Sequence, residues 1–294
     1  MALNFKTLLT RTLTAAVFVA VLLSCICWNY YSFAGLFLVV SIWGLNEFFK
    51  IAELLGAKPF KIIGYATALI LYLSVFFENL CYKSEESIFL SSLYYYRFPK
   101  FWFLISIGLA FLIFLNSIFS KNLKPIQDAV YTLFGVFYCV IPFFLLNKLV
   151  FPDYSAQEFH TPYNPHAILG MILLIWASDS FAYLVGSMIG KRKLYERISP
   201  GKTWEGTIGG GVLTMASSYI VAGWFPELEF KHWLVISILV VVFGTLGDLF
   251  ESLLKRQAGI KDSGKIMPGH GGILDRFDSL MFVTPFVYLY LMLA

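Results

Sequence analysis

Residues 12–46 read TLTAAVFVAVLLSCICWNYYSFAGLFLVVSIWGLN, and no Asp, Glu, Lys or Arg interrupts them. A membrane-spanning helix takes about 17–25 predominantly apolar residues, so this run holds two spans at the short end of that range, with a tight hairpin near Asn29–Ser32. The rest of the chain follows suit: of its 294 residues 59% are hydrophobic and 14% charged, and its mean hydropathy is +0.74. A soluble domain carries roughly 25% charged residues. The expected fold is therefore an all-α polytopic integral membrane protein, and an ordinary soluble class is excluded.

Uncharged or nearly uncharged runs predict a bundle of about nine transmembrane helices, over 12–29, 32–49, 62–78, 101–120, 127–147, 167–190, 204–224, 232–250 and 275–294. By sequence alone they group as N-terminal spans (1–100), middle spans (101–190) and C-terminal spans (191–294), acting as one functional unit. Lys6 and Arg11 ahead of the first run mimic a signal peptide, and Leu22-Leu23-Ser24-Cys25 hints at a lipoprotein cleavage box. The next span follows within a few residues, so the segment is expected to stay. Cys25, Cys27, Cys81 and Cys139 show no metal-type spacing with His and read as small buried hydrophobes.

Orientation follows from the distribution of Lys and Arg. With the N-terminus in the cytoplasm, seventeen of the 22 basic residues fall on the inner side and five, Lys83, Arg97, Lys100, Lys148 and Lys231, on the outer. Tyr94, Tyr95, Tyr96, Trp102 and Tyr154 then suit an aromatic belt at the outer interface. The expected location is the inner (plasma) membrane, multi-pass, with a polar cavity open to the cytoplasm.

One inner segment stands apart. Residues 252–278, SLLKRQAGIKDSGKIMPGHGGILDRFD, hold five basic residues, three acids, one His and five Gly. Packing between two apolar runs does not call for such residues; a phosphate-rich ligand and a metal do. Just before it and into it, Asp248, Glu251, Ser252 and Lys255 recur at i, i+3, i+4 and i+7, one face of a helix. An amphipathic helix end with solvated charges is the plain alternative. Pro268-Gly269-His270-Gly271-Gly272 then opens the last span, where glycine main chain approaches anions closely and a helix N-terminus adds a positive dipole end.

Asp275 and Asp278 follow at i, i+3. Each carboxylate at a bilayer centre costs roughly 2.5–3.5 kcal/mol, less near an interface. Two of them facing Asp248 would also repel. Mg²⁺ relieves both problems, because it takes one or two carboxylates and completes its shell with phosphates and water. Salt bridges to Arg276 or Arg256 are the alternative.

A second inner cluster gathers Lys191, Arg192, Lys193, Arg197 and Lys202 between the sixth and seventh spans. Positive-inside topology explains much of it. In Ser199-Pro200-Gly201-Lys202-Thr203-Trp204-Glu205-Gly206, however, Ser199 or Thr203 can cap a helix and Lys202 can meet a phosphate. The P-loop pattern is absent. Asp179 lies about 11 residues from the cytoplasmic end of its span, roughly 16 Å deep, which makes it a functional candidate. A hydrogen bond to a nearby Ser or Tyr competes with that reading. Gly186-xxx-Gly190 and Gly206-xxx-Gly210 read as helix-packing spacings.

These residues resemble the phosphatidate cytidylyltransferase (CDP-diacylglycerol synthase) family. The resemblance rests on Ser252, Lys255, Arg256, Lys261, Asp262, Pro268, His270, Gly271, Gly272, Asp275, Arg276 and Asp278. It extends upstream to Ser199, Pro200, Lys202, Thr203, Glu205 and Gly206, and to Asp179, Ser180, Ala182 and Tyr183. About 120 C-terminal residues are covered well; the earlier spans match in little but hydrophobicity.

The resemblance implies an enzyme that joins CTP and phosphatidic acid into CDP-diacylglycerol and pyrophosphate, with Mg²⁺ as cofactor and room for a second cation. Its partners would be CTP, phosphatidic acid and the bilayer, with no nucleic acid; a homodimer through the first three spans and a lipid wall are both open. Asp248, Asp275 and Asp278 would hold metal and, with Lys255 and Arg256, carry catalysis. Lys202, Ser252, Lys255, Arg256, Lys261, Asp262, His270, Gly271, Gly272 and Arg276 would bind the substrates, with Asp179 a further candidate. Phosphatidate is already ionised at neutral pH, so His270 reads as a binder or loop-fixing residue rather than a base.

Three rivals can be weighed. A lipid-alcohol kinase using CTP lacks reason to carry the full signature. A CDP-alcohol phosphotransferase needs a D-G-x₂-A-R-x₈-G-x₃-D-x₃-D pattern that is not here. A transporter would carry polar groups near the midplane of two related halves, whereas these charges gather at one face.

Overall fold

A computed structural model describes residues 5–83, 91–151, 163–264, 266 and 271–294, with side chains described for all of these except 5–11, 79–83 and 91–100. Its α-helices are α1 (Phe5–Trp28), α2 (Tyr30–Leu54), α3 (Lys61–Lys83), α4 (Ser91–Phe119), α5 (Pro125–Leu149), α6 (His166–Ile189), α7 (Trp204–Trp224), α8 (Phe230–Leu239), α9 (Thr245–Gln257) and α10 (Leu274–Leu293). A π-helical turn, Val240–Gly244, joins α8 to α9, so Phe230–Gln257 is one continuous span. The protein is an all-α polytopic membrane protein. Among the described residues seven helices are long and apolar enough to cross a bilayer, and Thr12–Trp28 is apolar but shorter. α7 falls outside that set because its run of glycines and its serines dilute its hydropathy.

The expected spans coincide with these helices, and the differences lie at the ends. The eighth runs past residue 250 to Gln257, which makes the polar stripe part of the same rod. Two compact units form: Met1–Asn164 with Asp262–Leu274, and Pro165–Lys261 with Asp275–Ala294.

In the first unit the break between α1 and α2 is written in two side chains. Asn29 Oδ1 accepts from Ser32 N at 2.9 Å, and Ser32 Oγ accepts from Asn29 N at 3.2 Å. Reciprocal capping of this kind satisfies helix-start N–H groups that hydrocarbon cannot. The core is aromatic, with Phe33, Phe37, Phe48, Phe49 and Phe143 fully buried. Two of its polar side chains form a chain of hydrogen bonds: Tyr72 donates to Ala34 O at 2.8 Å, and Asn147 Nδ2 donates to the Tyr72 hydroxyl at 2.8 Å. The α2–α3 turn is pinned to α5 by Lys58 N on Asp128 Oδ1 at 2.6 Å and Phe60 N on Thr132 Oγ1 at 2.8 Å. Cys139 is buried as expected, but Cys27 is exposed on the helix surface.

In the second unit, α6 and α7 approach closely enough that only glycine fits between them. A Cβ at Gly206 would sit 2.7 Å from Ala182 O, and one at Gly210 would press on the Ala182 main chain. The small-xxx-small spacings are thus packing devices. The basic segment after α6 forms a β-hairpin, β1 (Lys193–Tyr195) against β2 (Ser199–Thr203), antiparallel. Of the two expected caps, Thr203 is the one used: its hydroxyl accepts from Gly206 N at 3.2 Å to start α7. Glu205 in that first turn accepts from Lys191 N at 3.0 Å and Arg192 N at 3.1 Å, fixing the hairpin's entry strand.

Candidate active site

The polar stripe on α9 turns inward at Glu251 and Lys255, while Asp248 and Ser252 are half-buried. Ser252 Oγ donates to Asp248 Oδ1 one turn earlier, at 3.2 Å. Lys255 pairs with Glu251, also one turn earlier, and reaches Asp275 Oδ1 on α10 at 2.6 Å. The side chains of Glu251, Lys255 and Asp275 are only 2%, 12% and 8% exposed, which rules out the solvated-helix-end reading. A buried charge is tolerated only when paired. One ammonium stands between two carboxylates, and among the described residues Glu251 Oε1 has no hydrogen-bond partner.

A second group forms around Asp248. Lys202, presented by β2, pairs with Asp248 Oδ2. Asp278 lies in the field of Asp248, Asp179 and Lys202. Asp179 on α6 in turn feels Lys202, Asp248 and Arg276. Four elements far apart in sequence therefore bring three carboxylates and two cations together. Close helix contact makes this reach work. Gly247 sits against α10, where a Cβ would meet Asp278 O at 2.7 Å, and Ser279 Oγ donates to Gly244 O at 3.3 Å. The π turn just ahead re-aims α9 by its extra residue, a device frequent at functional sites.

Metal holding can be judged from the donor set. Among the described residues, no three His, Cys, Asp or Glu side chains are grouped to hold an ion by themselves. Mg²⁺ does not require that, since it is usually bound by one or two carboxylates with phosphate and water. Asp248 and Asp278, two like charges acting on each other, fit such a half-shell. Asp275 is engaged by Lys255, so the salt-bridge alternative for the Asp pair is realised at Asp275, with Lys255 in place of Arg276 or Arg256.

Arg256 Nη1 donates to Ile260 O at 3.3 Å, closing the turn after α9, and Arg256, Lys261 and Asp262 are exposed, as is Arg276. Gly271 has φ +85°, a left-handed conformation that favours glycine, and Gly272 is buried. His270 and Pro268 lie outside the described residues.

One acid in the first unit was not singled out from sequence. Glu47 on α2 is 2% exposed. Its carboxylate accepts from Ser263 Oγ at 2.9 Å, Ile273 N at 3.1 Å and Leu274 N at 3.0 Å. The signal was present: it is the first charge after the uncharged run and still belongs to the span, where an ionisable group is functional by default. Its place at the edge of the span made it look like a boundary.

The site is thus a set of acid–lysine pairs carried by β2, α9 and α10 of a polytopic helical membrane protein. The profile of the Cytidylyltransferase family matches residues 9–294, and the chain belongs to that family. It is similar to the phosphatidate cytidylyltransferases of Staphylococcus haemolyticus (strain JCSC1435) and Staphylococcus epidermidis (strain ATCC 35984), each 41% identical over 181 residues. It is 40% identical over the same length to that of Staphylococcus aureus (strain COL). In each case the match covers 61% of this chain and 65% of the relative.

Proposed function

We propose that this protein is a Mg²⁺-dependent phosphatidate cytidylyltransferase, converting CTP and phosphatidic acid into CDP-diacylglycerol and pyrophosphate. The observation that carries the reading is the placement of Lys202 and Lys255 on Asp248 and Asp275. Such pairs keep cationic phosphate ligands charged in an apolar surrounding, ready to exchange a carboxylate for a phosphate. The name shared by the relatives supports the substrate pair.

A phosphate oxygen of phosphatidate attacks the α-phosphorus of CTP. The new P–O bond forms as the bond to the bridging α–β oxygen breaks, and pyrophosphate leaves with that electron pair. Phosphatidate attacks as its anion, so no protein base is required. Displacements of this kind depend on positioning and charge stabilisation. Lys202 and Lys255 would neutralise the phosphates, Ser252 would hold Asp248 in its rotamer, and Arg256, Lys261 and Arg276 would attract the triphosphate from water. The main chain of Gly271 and Gly272 would take further phosphate oxygens. Asp248 and Asp278 would hold the Mg²⁺, whose chemistry is to neutralise charge on the triphosphate. Glu251 has no substrate role in this scheme; it holds Lys255.

The same reading puts the β-hairpin and the signature segment at the cytoplasmic face of a bacterial inner membrane, where CTP is met from water and phosphatidate from the bilayer. The seventeen-to-five distribution of basic residues supports it.

The test is an assay of membranes containing the protein with phosphatidic acid, Mg²⁺ and CTP labelled at the α or the γ phosphorus. Entry of α-label alone into lipid is the expected result. Entry of γ-label into an added lipid alcohol would replace this reading with a kinase.

A further inference from the structure

We infer that Glu47 is a positioning residue for CTP, the anchor that holds the two ends of the signature loop together. It rests on the reaction proposed above. Ser263 and Gly264 open the loop, and Gly272, Ile273 and Leu274 close it. The three hydrogen bonds to Glu47 come from both ends: the Ser263 hydroxyl on one side, and the Ile273 and Leu274 main chain on the other. The contact is shaped as well as bonded. A Cβ at Gly264 or at Gly272 would collide with the Glu47 carboxylate, so both strands of the loop are glycine where they cross it. Leu274 begins α10 and Ile273 immediately precedes it, and their N–H groups are orphans that this helix cannot satisfy itself. A carboxylate there also meets the positive end of the helix dipole.

The physical demand for a carboxylate is specific. Oε2 accepts two donors and Oε1 a third. An amide in its place would turn an NH₂ toward a main-chain N–H in either flip. Apolar substitution would take the acceptor from the Ile273 and Leu274 N–H groups inside the fold. The anchor thus fixes where the Gly271–Gly272 main chain stands, and that main chain is what the proposed reaction uses on CTP phosphates. Glu47 touches no substrate in this account; it acts through the loop.

The experiment compares wild type, Glu47→Gln, Ser263→Ala and the double variant as full-length protein in detergent–lipid micelles. Equilibrium binding of labelled CTP and the KM for each substrate are measured. Glu47→Gln is expected to weaken CTP binding and raise the KM for CTP roughly tenfold or more, as loss of a charged acceptor does. The KM for phosphatidic acid stays unchanged, and kcat per folded protein falls less than the CTP affinity. Ser263→Ala shifts the KM for CTP the same way by a smaller factor, and the double variant is no worse than Glu47→Gln, because both remove one contact. Wild-type CTP affinity in folded Glu47→Gln, or strictly multiplicative effects in the double variant, overturns the anchor. Wild type that binds CTP yet puts no α-label into lipid sinks the reaction assignment instead, and the binding series still decides the anchor. Wild type that binds no CTP overturns both.

Discussion

At the level of single residues the fold keeps its charges by pairing them, and the pairs are where function and stability meet. Lys255 stands between Glu251 and Asp275, all three largely buried. Removing one member of a buried ion pair leaves an uncompensated charge, at a cost of about 3–5 kcal/mol. Lys255→Ala is therefore expected to lower the thermal midpoint in detergent sharply as well as to abolish transfer. Glu251→Gln leaves the Lys255–Asp275 pair intact and should cost markedly less stability. Equal midpoints for the two variants would contradict the triad. Asp278→Asn is the converse case, a loss of function with the fold kept: transfer should fall roughly 100-fold or more, as when a transition-state charge stabiliser is lost, while the midpoint hardly moves.

The pairing was only half legible beforehand. The i, i+3, i+4, i+7 spacing put Asp248, Glu251, Ser252 and Lys255 on one face, because a helix period is local information. That Lys202 belongs to Asp248 and Lys255 to Asp275 is tertiary information, and no spacing encodes it. Glu47 was missed for the same reason: its partners lie more than two hundred residues on in the chain.

Among the elements, two kinds of small residue do opposite work. Gly210 lets α6 and α7 touch, since a Cβ there would enter the Ala182 main chain. Gly210→Val should destabilise by about 1–3 kcal/mol through overpacking, read as a lower denaturation midpoint. Gly35 in α2 has open space where its Cβ would be. Gly35→Ala is expected to be neutral or to stabilise by up to about 1 kcal/mol. At the α1–α2 break, Asn29→Ala removes a cap and should cost about 1 kcal/mol. The break near Asn29–Ser32 was readable because it sits between two runs each long enough for a span, and the Asn and Ser there are cap formers. The β-hairpin at 193–203 was not, because strong basic charge masks a strand of three residues, and its only visible mark was the capping Thr203.

For the whole molecule, the chain announces its membrane character in its composition; all nine expected runs are helical, and among the described residues seven helices are long and apolar enough to cross a bilayer. What composition could not give is the order of contact. Residues 262–274 join the N-terminal unit although they lie near the C-terminus in sequence, a loop return that hydropathy does not record. The proposed cytoplasmic orientation of the hairpin predicts that a thiol at Lys193→Cys is labelled by an impermeant maleimide only in inverted vesicles, and one at Lys231→Cys only in right-side-out cells. The opposite pattern would turn the protein over. Chelating divalent cations with EDTA should abolish transfer and excess Mg²⁺ restore it; transfer that persists in EDTA would remove Mg²⁺ from the account.

Phosphatidate is proposed to displace pyrophosphate directly at the α-phosphorus of CTP. Isotope exchange of labelled pyrophosphate into CTP by the purified protein with Mg²⁺ tests this step. Label should enter CTP when phosphatidic acid is present, not when it is omitted, and the rate should fall roughly 100-fold or more in Asp278→Asn. No exchange with all substrates present would contradict nucleotidyl transfer, and exchange without lipid would contradict direct attack.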